Sequence, residues 1–242
     1  MCYNKTIRVT VWNELEDYSV NPAIAAVYPD GINNAISGFL GKNADFTVNT
    51  AHLDQAECGL SEEILQNTDV LLYWAHKRHG EVPDEIADRI GRYVRSGMGV
   101  IFLHSAHFAK AFQKLMGTTC SLKWYEGEEV SENLWTINPT HAIAQGISDP
   151  VFIEHEEMYG EFFDIPTPDE SVFIGWFSTG FVFRSGNVWN RGRGKVFYFQ
   201  PGHETYPVYH NTDIQRIIEN GVRYVAPVGE RSHPEATHNP KP

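Results

Sequence analysis

The 242-residue chain sets 19 Lys and Arg against 31 Asp and Glu, a formal net charge of -12. That balance argues against nucleic acid, because phosphate binding wants clustered Lys and Arg, and equally against an anionic membrane surface. With 42% hydrophobic and 21% charged residues, the composition is that of a globular protein long enough to bury a sizeable core.

Cysteine usage points to a reduced, cytoplasmic compartment. Cys2, Cys58 and Cys120 are odd in number and lack the close spacing of a zinc knuckle or redox pair. Met1 to Thr6 has no apolar signal core. No apolar run reaches the ~20 residues that span a bilayer.

Ile7 to Trp12, β-branched and aromatic, reads as a first strand, and Asn13 to Tyr28 as irregular chain. Asp30 is placed to cap a helix with Ile32, Ile36, Phe39 and Leu40 as its apolar stripe and Gly41 as its stop. Asp45 to Thr50 is a second strand, and Ser61 opens a short helix with Glu62 and Glu63 in its first turn. The run from Asp69 to Trp74 is apolar on both faces, as a parallel strand covered on two sides must be. Pro83 then starts a helix bearing Ile86, Ile90 and Val94, ended by Gly97 and Gly99. Gly99 to Leu103 is a fourth buried strand, and Phe108, Ala111, Phe112 and Leu115 mark a helix stopped by Gly117.

Beyond Thr118 the pattern turns strand-rich: Glu132 to Ile137, Val151 to Ile153, Ser171 to Trp176, Gly180 to Arg184 and Lys195 to Gln200. Ser185-Gly186-Asn187 reads as a hairpin turn. Thr212 caps a last helix carrying Ile214, Ile217, Ile218 and Val222. The expected fold is α/β: a three-layer sandwich on a mainly parallel sheet with an antiparallel extension. One domain over residues 5–226 is expected, followed by a mobile tail over 227–242.

Ligands of open parallel sheets bind beyond the carboxyl ends of the strands. Trp12, Asn13 and Glu14 follow the first strand; Trp74, His76 and His79 the third; His104, Ser105 and His107 the fourth; His203 and Glu204 the run to Gln200. Four unrelated segments thus bring imidazoles or carboxylates to one predicted rim. Each residue alone has a plainer reading: Trp12 and Trp74 as core, His76 as a loop histidine, His155 as an exposed strand end.

Several segments resemble the ThuA-like (trehalose-utilisation) family. They are Gly99-Val100-Ile101-Phe102-Leu103-His104-Ser105-Ala106, Asp69 to Trp74, Asn138 to Ile143 with Gly146-Ile147, Glu156-Glu157-Met158-Tyr159, and Gly194 to Tyr198 with Gly202-His203-Glu204. The resemblance implies a flavodoxin-like fold akin to class I glutamine amidotransferases, and a role in the use of trehalose or a related disaccharide. In those amidotransferases a cysteine occupies the strand-to-helix turn. Here His104 or Ser105 stands there, and Cys120 falls beyond the following helix, so glutaminase chemistry is not carried over. Ser105 lacks the glycine neighbours of a nucleophile elbow.

Two chemistries follow. One is acid–base work on a sugar or keto-sugar, with His104, His203 and Glu157 as central groups. Trp12, Asn13, Trp74, His76, Ser105, His107, Tyr159 and Glu204 are then the substrate-binding candidates, and Trp124 a further ring to stack on a sugar. The other is a divalent metal site, Zn²⁺ or Mn²⁺, with His76, His104 and His203 as leading ligands and His107, His155 and Glu157 also competent. A non-catalytic sugar-binding or regulatory protein and a metal-dependent hydrolase are the alternatives. The expected partner is a small carbohydrate. A homo-oligomer is expected too, paired through Phe181, Phe183 and Trp189. Arg191 and Arg193 read as solvated residues of a hairpin loop, and without a Gly-x-Gly-x-x-Gly after the first strand no nicotinamide cofactor is expected.

Overall fold

The computed structural model describes residues 6–15, 21–127, 129–229 and 231. In chain order the strands are β1 (Ile7–Asn13), β2 (Phe46–His52), β3 (Val70–Trp74), β4 (Gly99–Leu103), β5 (Lys123–Tyr125), β6 (Glu132–Thr136), β7 (Val151–Ile153), β8 (Met158–Gly160), β9 (Glu170–Phe177), β10 (Val182–Arg191) and β11 (Gly194–Phe199). The helices are α1 (Pro22–Val27), α2 (Ile32–Leu40), α3 (Glu62–Gln66), α4 (Asp84–Ser96), α5 (Lys110–Met116) and α6 (Thr212–Val225).

Among the described residues nine strands form one sheet in the order β2-β1-β3-β4-β11-β10-β9-β6-β7. The first five run parallel, and β10, β9, β6 and β7 extend the sheet antiparallel. Strand alternation divides the core into two layers. Leu71, Tyr73, Val100, Phe102, Val196 and Tyr198 face α3, α4 and α5. Val70, Leu72, Trp74, Ile101, Leu103, Phe197 and Phe199 face α2 and α6. This is why the parallel strands read as unbroken apolar runs. No described helix is long and apolar enough to cross a membrane.

Register places the site. Trp74 lies opposite Leu103, and Leu103 opposite Phe199, so β3, β4 and β11 end level. Whatever follows these strands emerges at one edge. A separate pair, β5 with β8, sets Trp124 opposite Tyr159 at that edge.

Five local expectations are corrected. The chain before Tyr28 holds α1, with Pro22 in its first turn and Asn21 as its cap, a short helix without an apolar stripe long enough to register as periodic. The α2 cap is Gly31 rather than Asp30, and the α6 cap is Asn211, whose Oδ1 accepts from Asp213 and Ile214. Ser185-Gly186-Asn187 is not a turn. It lies inside β10, where register shifts against β9 absorb it, and a Cβ on Gly186 would meet the Phe173 ring at 2.5 Å. The hairpin is instead the tight return from Arg191 to Gly194. Phe183 and Trp189, expected on a pairing surface, are sealed in the core, and of that set only Phe181 is exposed. The tail expected over 227–242 lies largely outside the described residues; Arg231, which is described, donates to Leu65 O at 3.1 Å.

Candidate active site

His76, His104, Glu157 and His203 converge at the level edge of the sheet. One donor atom from each lies within 4.8 Å of all the others. The three imidazole centroids stand 5.2 to 5.5 Å apart. They come from the loops after β3, β4 and β11, with Glu157 immediately preceding β8.

His104 is the first residue after β4 and adopts φ 54°. A non-glycine residue in this left-handed region is held there at a cost. Its carbonyl accepts the Tyr198 hydroxyl at 3.0 Å. Its ring is stacked between Trp74 (6.4 Å, 12°) and Tyr159 (5.4 Å, 21°). Nδ1 lies 3.2 Å from Gln200 O, and with its proton donated there Nε2 presents a lone pair. That lone pair faces Glu157 Oε2 at 3.2 Å, within ion-pair distance but without hydrogen-bond alignment. Two lone pairs so close require a cation between or beside them, a proton or a metal ion.

The other imidazoles are oriented the same way. His76 Nδ1 lies 3.0 Å from Glu204 Oε2. His203 Nδ1 lies 2.9 Å from Thr205 Oγ1, and the Thr205 N–H approaches the same nitrogen at 3.3 Å. The N–H can only donate and the hydroxyl can do either, so both contacts are met with Nδ1 as acceptor, and Nε2 is the nitrogen turned toward the centre. Nε2 of His203, like that of His104, is buried without a hydrogen-bond partner.

Two buried carboxylates fix the loops that carry the imidazoles. Glu14 accepts the backbone N–H of Lys77 (2.6 Å) and of Arg78 (3.0 Å), pinning the His76 loop. Glu156 accepts the N–H of Gly202 (2.7 Å), His203 (3.2 Å) and Glu157 (2.8 Å), so one carboxyl ties two arms of the cluster together. Gly202 is required in that turn: its φ is 142°, and a Cβ would meet Tyr209 Oη at 2.0 Å.

Burial and imidazole neighbours compete at the acids. Burial alone would raise Glu157, but the contact with His104 and the nearness of His203 and His76 bring its carboxyl below the usual range. Glu204 is held well below it by His76 and His203, against the same burial. Burial, then the proximity of His104, pushes His203 down to about 4. Glu156, sealed and close to Glu132, is raised well above the carboxylate range despite its three N–H bonds.

The cluster opens into a cleft of about 440 Å³ lined by His76, His79, Ser105, His107, Trp124, Glu126, Glu157 and Tyr159, among others. That size falls in the ordinary range for small-molecule sites, ~300–1,000 Å³. Burial pushes His79 down to about 4 and His107 down to about 3, so both imidazoles are neutral at physiological pH. His107 Nδ1 is turned to Cys120 O at 2.8 Å, leaving Nε2 for the cleft. Ser105 Oγ and Tyr159 Oη lie 2.6 Å apart. Trp124 is 66% exposed at the mouth.

Of the residues singled out from sequence, His76, His104, Ser105, His107, Glu157, Tyr159, His203 and Glu204 meet here. Trp12 does not. It is buried, stacks on Tyr73 at 4.1 Å and donates to Cys58 O, as a core indole does. Asn13 is also buried and accepts the Leu15 N–H; it lines a small cavity behind Trp74 and Glu204 and not the cleft. Trp74 backs His104 and donates to Gly202 O at 3.0 Å, so it supports the centre and offers no free face. His155 lies against Tyr206, outside the cluster. His233 and His238 lie outside the described residues. No cysteine among the described residues joins the cluster, and burial pushes the Cys120 thiol up to about 11. The gripping roles of Glu14 and Glu156 had no local signal in sequence, because they depend on backbone N–H groups brought from distant turns; Gln200 holds His104 through its backbone carbonyl.

A family model described as trehalose utilisation (ThuA) matches residues 8–225. No curated protein matches the chain. A solved ThuA-like protein from Parabacteroides merdae is 13% identical, with a TM-score of 0.68 over 91% of this chain and 90% of its own. A Salmonella typhimurium protein described as cytoplasmic is 12% identical, with a TM-score of 0.57 over 92% of this chain and all of its own. A glutamine amidotransferase from Thermotoga maritima is 10% identical, with a TM-score of 0.53 over 91% and 98%. At such identities these neighbours speak for the fold, while the match over residues 8–225 assigns the family: the chain belongs to the ThuA family and is built on the glutamine amidotransferase-like fold.

Proposed function

We propose that the chain is a cytoplasmic enzyme of carbohydrate use that performs acid–base chemistry on a sugar or keto-sugar beside a divalent metal, Zn²⁺ or Mn²⁺. The observation that carries the reading is the meeting of His104 Nε2 and Glu157 Oε2 at 3.2 Å, with His203 Nε2 orphaned beside them. The donor set fits such an ion. His76, His104, His203 and Glu157 supply three nitrogens and one oxygen, a set suited to these metals. Nδ1 of His76 faces the Glu204 carboxylate and Nδ1 of His104 faces Gln200 O, the acceptor partners that orient metal-bound imidazoles, while the His203 ring is positioned by Thr205. When bound, the ion supplies Lewis-acid polarisation of a substrate oxygen.

The chain's own side chains do the rest. His76, His104, His203 and Glu157 would hold the ion where the cluster opens into the cleft. Neutral His107, with Nε2 toward the cleft, is placed to accept a hydrogen bond from a substrate hydroxyl, and the Ser105–Tyr159 hydroxyl pair to donate one. Trp124 offers its exposed face to a sugar ring. The family description, trehalose utilisation, supplies the substrate class. The test is thermal shift with trehalose and related sugars, with and without Zn²⁺ or Mn²⁺, followed by product analysis. Stabilisation and turnover are expected in the native chain and lost in His104→Ala and Glu157→Gln. Binding without turnover would mark a sugar-binding or regulatory protein; both variants retaining both properties would overturn the site.

A further inference from the structure

The antiparallel extension leaves one sheet face uncovered. On β6, β7, β9 and β10 alternation turns Leu134, Val151, Ile153 and Phe183 inward. The opposite parity turns outward. Asn133 lies across from both Phe152 and Trp176, and Trp176 from Val182, so these four form a row spanning four strands. Trp135 and Ile137 continue the face along β6. Phe152, Trp176 and Trp135 are 57%, 52% and 42% exposed, and Val182 and Ile137 about as much. At one end the row meets Phe162, over whose ring Arg184 lies at 5.6 Å while pairing with Glu161 at 2.8 Å.

Aromatic rings bury 150–250 Å² each, so half-exposed rings and aliphatics in this number give a contiguous apolar patch of roughly 500 Å². That lies at the upper end for a monomer's surface. It is also the size expected for the apolar centre of an interface that covers ~800 Å² per partner, with a polar rim making up the remainder. The end of the chain is no match for the patch. Residues 232–242, Ser-His-Pro-Glu-Ala-Thr-His-Asn-Pro-Lys-Pro, hold a single small apolar side chain besides proline. Arg231 is anchored at Leu65 O, in α3, whereas the patch lies on the last strands of the sheet.

We propose that this face packs against the same face of a second copy of the chain, sheet on sheet about a two-fold axis. A self-complementary apolar face needs no second chemistry on its partner, and aligned sheets stack ~10 Å apart with side chains interdigitated. Because each copy carries a net charge of -12, added salt should strengthen the pairing by screening repulsion.

Sedimentation or light scattering of the full chain tests this. The expected mass is twice the chain's 27.5 kDa, with the dimer fraction at low concentration rising with salt. Trp176→Glu and, separately, Phe152→Glu should give folded monomers with unchanged circular dichroism, while Val228→Glu, an exposed apolar control off this face, stays dimeric. Should Trp176→Glu fail to fold, Phe152→Glu decides. A native chain that stays monomeric at tens of micromolar, or a dimer that survives the substitutions, overturns the proposal.

Discussion

Glu132→Gln would remove a pH-dependent strain from beneath the cluster. Glu132 is fully buried, with Ser185 Oγ 3.1 Å from Oε1. Burial pushes its carboxyl up to about 8 from 4.5. At ~1.4 kcal/mol per pH unit, that difference sets a ceiling of about 5 kcal/mol on its contribution. A folded-state pKa above the unfolded one means the native chain keeps a proton that the unfolded chain releases. Stability is therefore fullest below pH 4.5, falls as pH rises toward 8, and levels beyond it. Gln keeps the shape and cannot ionise. Urea unfolding at pH 6, 7 and 8.5 should show a shallower decline for Glu132→Gln, and a variant more stable than the parent at pH 8.5. Parallel curves for the two proteins would refute the reasoning. Protonation here also bears on the site. A neutral Glu132 has a proton to offer the adjacent Gln200 Oε1, to which Ser185 Oγ also donates at 3.3 Å, leaving Nε2 for Glu157 O at 3.3 Å. An ionised Glu132 favours the turned amide, which donates to both its oxygens at 3.2 Å and gives up the Glu157 carbonyl.

Glu204→Gln preserves size but removes the charge that orients His76; metal affinity by chelator competition should fall about 10–100-fold, and an unchanged value would remove Glu204 from the orienting shell. Gly202→Ala forces a Cβ onto Tyr209 Oη at a φ of 142°, so thermal denaturation should show a loss of about 2–4 kcal/mol; unaltered stability would contradict the tight turn described for His203.

Much of the parallel half was legible because its signals are local. The runs at Val70–Trp74 and Gly99–Leu103 are apolar on both faces, and the helices between them carry four-residue stripes and glycine stops. Strand ends then told which residues share an edge, and His76, His104 and His203 do meet there. The antiparallel half was harder. Ser185-Gly186-Asn187 has turn chemistry, yet Gly186 serves a close approach to Phe173 that only the folded sheet defines. β5 and β8 are three residues each and show no period, so the partnership of Trp124 and Tyr159 was invisible. Trp12 and Trp74 mark the remaining difficulty: an indole at a strand end reads the same whether it meets a ligand or, as here, the core.

The shared cation is the claim on which the site depends. Elemental analysis of the full chain purified without added metal, beside the double variant His104→Ala, Glu157→Gln, addresses it directly. One divalent metal ion per native chain is expected, and none in a folded double variant. A native chain that carries no such ion and fails to take up Zn²⁺ or Mn²⁺ at micromolar concentration would contradict it.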